Sequence, residues 1–157
     1  RDSIGNVEML RAGEVQRMSA GTGIEHSEFN PSSTEPVRFL QVWIHPAHTD
    51  TPPSYEQRLF PQENRLGRWQ LLVSPNGNEN SLVINQDAKI FATSLPAGTA
   101  LAREIPEGRR AWIQLTRGIV LIEGQTLHAG DAAVIPHAGR LTLQACEDAD
   151  IYLFEVI

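Results

Sequence analysis

The chain has 157 residues and a mass of 17.4 kDa, which suggests one domain of ordinary size. Its net charge of −6 argues against nucleic acid as a direct ligand, because a surface that follows phosphates needs a stripe of basic side chains. The single cysteine, Cys146, excludes an internal disulfide. No apolar run approaches the roughly 20 residues of a membrane-spanning helix. No signal peptide leads the sequence, so we expect a cytoplasmic protein.

Short strand-like runs separated by turn signals follow one another along the chain, and no stretch shows the apolar period of an amphipathic helix. Many short strands at this spacing indicate an all-β sandwich or barrel. The dipeptide Glu123-Gly124 between two apolar runs predicts a hairpin. The predicted strands are Val37–Ile44, Trp69–Ser74, Leu82–Asn85, Ile90–Thr93, Ala111–Leu115, Ile119–Ile122, Gln125–Leu127, Leu141–Gln144 and Ile151–Val156.

The segment 46–66 differs from the rest, because it carries several prolines with polar residues between them. This composition predicts a linker or crossover. Within it, Tyr55–Phe60 fits either one helical turn or a short strand.

A weak internal repeat relates the two ends of the chain. Ala12–Gly21 resembles Ala129–Gly139, with one extra residue in the second copy and a hairpin before each copy. Matched hairpin, Gly-acid turn and strand order favour a duplication. In this alignment Arg1 corresponds to about Gly118, so we expect half of one barrel joined to a complete second barrel.

Residues 13–28 carry the candidate chemistry. Gly13 and Gly21-Thr22-Gly23 predict tight turns. They frame a short strand on which His26 and Glu28 are two residues apart, so both side chains lie on one face. An imidazole beside a carboxylate supplies part of a mixed nitrogen and oxygen site for iron or a similar transition metal. From spacing alone, a solvated pair on an exposed strand is the favoured interpretation.

The same stretch resembles the second cupin motif of the pirin family, and its central string is characteristic of bacterial pirin-like proteins. The resemblance is specific over residues 1–60. It implies an all-β fold of double-stranded β-helix (cupin) barrels, a bicupin with an incomplete N-terminal barrel. The segments that carry it are Asp2–Asn6, Gly13–Glu35, Met18–Glu28, Val42–Ile44 and Pro52–Arg58.

The organisation that this resemblance implies has three parts. Residues 1–45 form the second half of an N-terminal metal-binding cupin, 46–66 form the linker, and 67–157 form a C-terminal cupin without metal ligands. At the positions that match the His-x-Glu pair, the second copy offers Leu143 or Gln144, then Ala145 or Cys146, depending on the gap. Leucine and alanine cannot bind a metal, and a Gln–Cys pair would be an unusual replacement.

The resemblance also implies a cofactor and an activity. Pirins hold a metal, usually iron, with three histidines and one glutamate, so His26 and Glu28 would be two ligands of Fe(II) or another divalent transition metal. The two further histidines come from a His-x-His motif on the half that this sequence lacks. Bacterial members resemble quercetin 2,3-dioxygenases, which open flavonols with O₂. Glu28 would then act as ligand, as the base that takes the flavonol 3-hydroxyl proton, or as both, and this short form is expected to be impaired.

Two other functions remain open. Eukaryotic pirins act as iron-dependent partners of transcription factors, so a non-enzymatic, redox-sensing regulatory protein is the alternative, with protein rather than DNA as its partner. A cupin that binds a sugar or a small acid is the third. We expect no membrane contact, and an open sheet edge would invite a protein partner or self-association.

The remaining candidates receive structural interpretations. His45 and His48 are interpreted as surface loop histidines, and Cys146 as a half-buried strand residue. A cluster of basic residues interrupted by acids is expected to form a solvated face; its members are Arg103, Arg109 and Arg110. The tryptophans Trp43, Trp69 and Trp112 are expected to pack in the core.

Overall fold

A computed structural model describes residues 1–157 as an almost entirely β chain, as the sequence predicts. Its only helices are two short 3₁₀ turns, Gln62–Asn64 and Asn78–Asn80. Neither is long and apolar enough to cross a membrane. The strands are β1 (Glu14–Ser19), β2 (Ser54–Leu59), β3 (Gln70–Ser74), β4 (Leu82–Val83), β5 (Lys89–Leu95), β6 (Ala100–Ile105), β7 (Arg110–Arg117), β8 (Ile119–Ile122), β9 (Gln125–His128), β10 (Ala132–Ile135), β11 (Gly139–Ala145) and β12 (Ala149–Val156).

Two sheets build a complete C-terminal barrel of the cupin type. One has the order β10-β7-β12-β5-β3-β4 and the other the order β6-β11-β8-β9. Their facing sides share one apolar core, to which the first sheet contributes Ile113 and Leu153 and the second contributes Val120 and Leu143. Burial alternates along β11, because every second side chain of a strand points to the same face.

A third, two-stranded sheet pairs β1 with β2 in antiparallel register, with Gln16 opposite Gln57. Val15 on this sheet packs against a smaller apolar cluster that includes Leu72 and Ala92. Leu72 and Ala92 each follow a residue of the main core along their strand. Their side chains therefore point the other way, and this cluster lies on the outer face of the six-stranded sheet. The predicted linker therefore contributes a strand, and Tyr55–Phe60 forms an extended segment rather than a helical turn.

The predicted strand Val37–Ile44 is wrong. Residues 37–44 have no strand assignment, and most of their large apolar side chains are exposed; Trp43 is 87% exposed. A strand is stabilised by hydrogen bonds to a neighbour, and no segment of the chain pairs with this one. The core interpretation of Trp43 is wrong for the same reason.

The two Gly-acid turns of the internal repeat have the same hydrogen bonds. In the first, the Arg11 backbone N–H donates to a Glu14 carboxylate oxygen at 2.6 Å, and the Glu14 N–H donates to the Arg11 carbonyl at 3.0 Å. In the second, the His128 backbone N–H donates to an Asp131 carboxylate oxygen, and the Asp131 N–H donates to the His128 carbonyl, both at 2.9 Å. Each acid follows a glycine with positive φ, 85° and 99° respectively. This shared geometry supports the duplication.

The basic cluster is not a purely solvated face. Arg103 donates a hydrogen bond of 3.0 Å to Glu155, whose side chain is 1% exposed. Arg109 pairs with Asp87 at 2.6 Å and approaches the same glutamate at 3.8 Å. Only Arg110 is exposed as expected. Sequence spacing could not show this arrangement, because the acid that gathers these cations lies at the far end of the chain.

Two further interpretations of side-chain burial are wrong. Trp112 lies on the outer face of β7 and is 45% exposed, whereas Trp69 packs against the main core as expected. Cys146 follows the end of β11 and is exposed, since the alternation of that strand places its neighbour Ala145 inside.

Candidate metal site

His26 is held by backbone pairing with the first residues of the chain. Asp2 and His26 form an isolated antiparallel bridge. On either side of it, Ser3 N–H donates to the Glu25 carbonyl at 2.8 Å, and Ser27 N–H donates to the Arg1 carbonyl at 2.9 Å. The predicted short strand around His26 is thus reduced to one bridge, and residues 27–30 have no strand assignment.

A turn organised by Asp2 supports this bridge. The Asp2 carboxylate accepts hydrogen bonds from Ile4 N–H at 3.1 Å, Asn6 N–H at 2.9 Å and the Asn6 side-chain amide at 2.6 Å. Burial acts to raise the pKa of Asp2, but these hydrogen bonds favour the charged form and leave the pKa below its ordinary value. An ionised Asp2 therefore shapes the turn that precedes the segment facing His26.

Glu28 contacts a row of polar side chains on the β1–β2 sheet. Its Oε1 accepts a hydrogen bond from Gln16 Nε2 at 3.1 Å, while its Oε2 has no hydrogen-bond partner within the chain. Behind Gln16 lies the Tyr55 hydroxyl, 3.3 Å from the side-chain oxygen Oε1 of Gln16 and 2.5 Å from Oε1 of Gln57. Sequence reasoning missed Gln16, Tyr55 and Gln57, because the strand pairing that assembles the row is nonlocal.

The environment of Tyr55 is acidic. Burial raises the pKa of its hydroxyl, and nearby carboxylates raise it further because they oppose a second negative charge. The phenol therefore stays protonated and remains a hydrogen-bond donor at neutral pH. The contributing acids are Glu8, Asp2, Glu14 and Glu28.

The second barrel offers a comparison for the direction of the His-x-Glu face. Asp2 opens the first hairpin and pairs with His26, just as Ile122 opens the hairpin between β8 and β9 and pairs with Leu143. This comparison matches Leu143 with His26, and Ala145 with Glu28. Both equivalents are buried in the barrel core, 0% and 1% exposed. On this match we expect His26 and Glu28 to face the interior of a cupin barrel, whereas the other register of the repeat matches them with Gln144 and Cys146, which are exposed.

The donor chemistry of the pair suits a divalent transition metal. A neutral imidazole and an ionised carboxylate are the nitrogen and oxygen ligands that such ions accept, and Glu28 keeps one oxygen unengaged. The structure brings together no group of three or more His, Cys, Asp or Glu side chains that could hold a metal. The pair thus fits part of a ligand set, and further ligands are needed to complete it.

His45, His48 and His128 have neighbours other than this pair. The backbone carbonyls of His45 and His48 accept hydrogen bonds from Gln86 and Asn85, and both imidazoles are exposed, as the loop interpretation predicts. His128 lies 3.8 Å from its neighbour Asp131 and is also exposed.

Comparison with known proteins identifies the relatives of this chain. The pirin family model matches residues 1–44, and the model of the quercetinase C-terminal cupin domain matches residues 71–156. Quercetin 2,3-dioxygenase of Escherichia coli K12 is 38% identical over 156 residues, which cover 99% of this chain and 66% of that protein.

Solved structures agree with the sequence matches. YhhW from Escherichia coli superposes with a TM-score of 0.94 at 38% identity, over 100% of this chain and 66% of that one. The bacterial pirin YhhW in complex with nickel(II) gives 0.92 at the same identity, over 99% and 66%. The chain therefore spans about two thirds of the length of these relatives. On these matches and the cupin fold, the chain belongs to the pirin family.

Proposed function

We propose that this chain belongs to a metal-dependent dioxygenase that opens flavonols such as quercetin with O₂, and that His26 and Glu28 are two of its metal ligands. One observation supports the proposal: His26 pairs with Asp2 next to the first hairpin as Leu143 pairs with Ile122 next to the second, and Leu143 and Ala145 line the core of the other barrel. The relatives named quercetin 2,3-dioxygenase and the nickel(II) complex of a bacterial pirin support it.

The chemistry that we assign to the residues follows from their donor groups. His26 would bind the metal through a neutral ring nitrogen, and Glu28 through one carboxylate oxygen. Glu28 would also accept the proton of the flavonol 3-hydroxyl as a general base. A bound Fe(II) or other divalent transition metal would favour the ionised form of that hydroxyl.

We further propose which role each of the three segments of the chain has. Residues 1–45 would contribute to the metal-binding cupin and 46–66 would connect it to the C-terminal cupin of residues 67–157. Since β2 lies within the connecting segment and pairs with β1, that segment would also contribute a strand to the N-terminal barrel. The C-terminal cupin would hold no metal, because apolar side chains occupy the equivalent positions.

The test measures metal content and O₂ uptake with quercetin in the longest natural form of the protein, after loading with Fe(II) or Ni(II) under anaerobic conditions. His26→Ala and Glu28→Ala should each lower metal content and turnover at least tenfold. His128→Ala, a change at an exposed histidine outside the site, is the control and should leave both unchanged. Unaltered metal content and turnover in the first two variants would contradict the proposal.

A regulatory, redox-sensing role is the second candidate. The observation that favours its protein-binding part is the exposed apolar segment 37–44, since large exposed apolar patches mark surfaces that bind other proteins. The segment would bind a protein partner or a second copy of the chain. Two results together would favour this role over the dioxygenase. The protein would bind stoichiometric metal without turning over any flavonol, and its binding to the protein partner or second copy would be lost in Trp43→Ser.

A further inference from the structure

We infer that Gln16 is the positioning residue of Glu28, and that Tyr55, itself held by Gln57, contacts the oxygen end of the same Gln16 amide. The inference rests on the proposed role of Glu28 as a ligand and base. It concerns side chains on β1 and β2, which lie outside the His-x-Glu motif and reach it only through the folded structure.

Gln16 makes the two oxygens of Glu28 unequal. Its Nε2 donates to Glu28 Oε1 at 3.1 Å and uses one lone pair of that oxygen, while both lone pairs of Oε2 stay free for the metal or for the proton of the substrate. An ionised carboxylate only accepts hydrogen bonds, and therefore the NH₂ end of the Gln16 amide must face it. The contact is charge-assisted, which makes it stronger than a hydrogen bond between neutral groups.

Tyr55 and Gln57 support Gln16 from the opposite side. The Gln57 amide nitrogen donates to the Met9 carbonyl at 3.0 Å and to a Glu14 carboxylate oxygen at 2.9 Å. Both of its hydrogens are then used, so its carbonyl oxygen must be the atom that faces Tyr55 at 2.5 Å. The single phenol proton points mainly along this short contact, so the 3.3 Å contact from the Tyr55 hydroxyl to Gln16 Oε1 is the weaker branch of a bifurcated hydrogen bond.

The row is not needed to hold the sheet together. The β1–β2 register extends over six residue pairs and depends on backbone hydrogen bonds. Replacing Gln16 should therefore leave the sheet intact while it releases Glu28. Outer-shell partners of metal ligands typically contribute about 10- to 100-fold to metal affinity or activity, and this is the range that we expect for Gln16.

The first experiment measures the Ni(II) dissociation constant by calorimetry in the longest natural form of the protein, together with kcat and KM for quercetin. Gln16→Met keeps the length of the side chain and removes its N–H donors. It should weaken nickel binding about tenfold and lower kcat, with KM unchanged because Gln16 contacts Glu28 rather than the substrate. Tyr55→Phe should have a smaller effect in the same direction.

Matched controls come from the second barrel. Gln125→Met alters an exposed glutamine on β9, and Tyr152→Phe alters the other tyrosine; neither should change nickel binding or kcat. An unchanged dissociation constant and kcat in Gln16→Met would overturn the inference. Thermal unfolding of each metal-free variant shows whether a loss reflects misfolding.

A second measurement needs no metal and separates the inference from the proposed function. In a ¹⁵N–¹H spectrum of the metal-free protein, Glu28→Gln and Tyr55→Phe should both shift the side-chain NH₂ signals of Gln16. Absence of nickel uptake by the unmodified protein would overturn the proposed function, while shifted signals would still support the Gln16–Glu28 contact. Signals that stay in place would overturn the inference, whatever the metal content.

Discussion

Arg103 and Glu155 join the two sheets of the C-terminal barrel through a buried ion pair. Arg103 extends from β6 in the four-stranded sheet, and Glu155 extends from β12 in the six-stranded sheet, with 3.0 Å between their nearest atoms. The guanidinium also lies 3.5 Å from the centre of the Phe91 ring, a cation–π contact. Lys89 and Arg109 each approach Glu155 at 3.8 Å. One buried carboxylate thus compensates several cations.

Removal of this carboxylate should destabilise the protein strongly. In Glu155→Ala the arginine remains partly buried without its partner, and loss of one member of a buried pair typically costs about 3–5 kcal/mol. Denaturant unfolding monitored by circular dichroism measures the change in the free energy of unfolding. Glu123→Ala, at an exposed turn position, is the matched control. A loss as small as that of the control would show that solvent compensates the cations instead.

Elements whose structure depends on local chemistry could be predicted from the sequence. Glu123-Gly124 forms the predicted hairpin turn, because both residues adopt the positive φ that such a turn requires, 49° and 81°. The alternating strands of the C-terminal barrel follow from their apolar pattern. The strand β6 was missed, since its Ala, Leu, Arg and Glu residues favour helix, and pairing with β11 overrides that preference.

Elements whose structure depends on a partner distant in the sequence were not predicted correctly. Val37–Ile44 has the composition of a strand but no neighbour to pair with. Arg103 was expected in solvent because Glu155 is remote in the sequence. In the candidate site, His26 and Glu28 could be proposed from the sequence because they lie in one motif. Gln16 and Tyr55 became visible only after β1 and β2 had been paired.

A close backbone approach makes Gly118 intolerant of a side chain. A Cβ at this position would lie 2.2 Å from the Asp148 carbonyl oxygen, whereas a Cβ at Gly108 would meet nothing within 4 Å. The two glycines have similar φ, 82° and 74°, so left-handed strain of about 1–2 kcal/mol is common to both alanine variants. Gly118→Ala should lower the free energy of unfolding well beyond Gly108→Ala in denaturant titrations. Equal losses would mean that the backbone near Asp148 yields freely.

The raised pKa of Tyr55 predicts a pH dependence of stability. The folded protein retains the phenol proton above the ordinary value of 10.0, at which the unfolded chain releases it. The contribution of Tyr55 is therefore fully present below pH 10 and is lost as the pH rises through the raised pKa. Unfolding experiments between pH 8 and 11 should show a shallower decline in Tyr55→Phe than in the unmodified protein. Tyr152→Phe is the control, and identical declines in both variants would contradict the assignment.

Equivalent positions in the two copies should respond in opposite ways to substitution. Leu143 is fully buried in the C-terminal core, so Leu143→His would place a polar ring where no hydrogen-bond partner is waiting, and several kcal/mol of stability should be lost. His26 is exposed, so His26→Leu should change the free energy of unfolding by less than about 0.5 kcal/mol while it removes a proposed metal ligand. Denaturant unfolding and metal analysis of both variants test this contrast. A large stability loss in metal-free His26→Leu would mean that this position serves packing in both copies, and the metal assignment would fail with it.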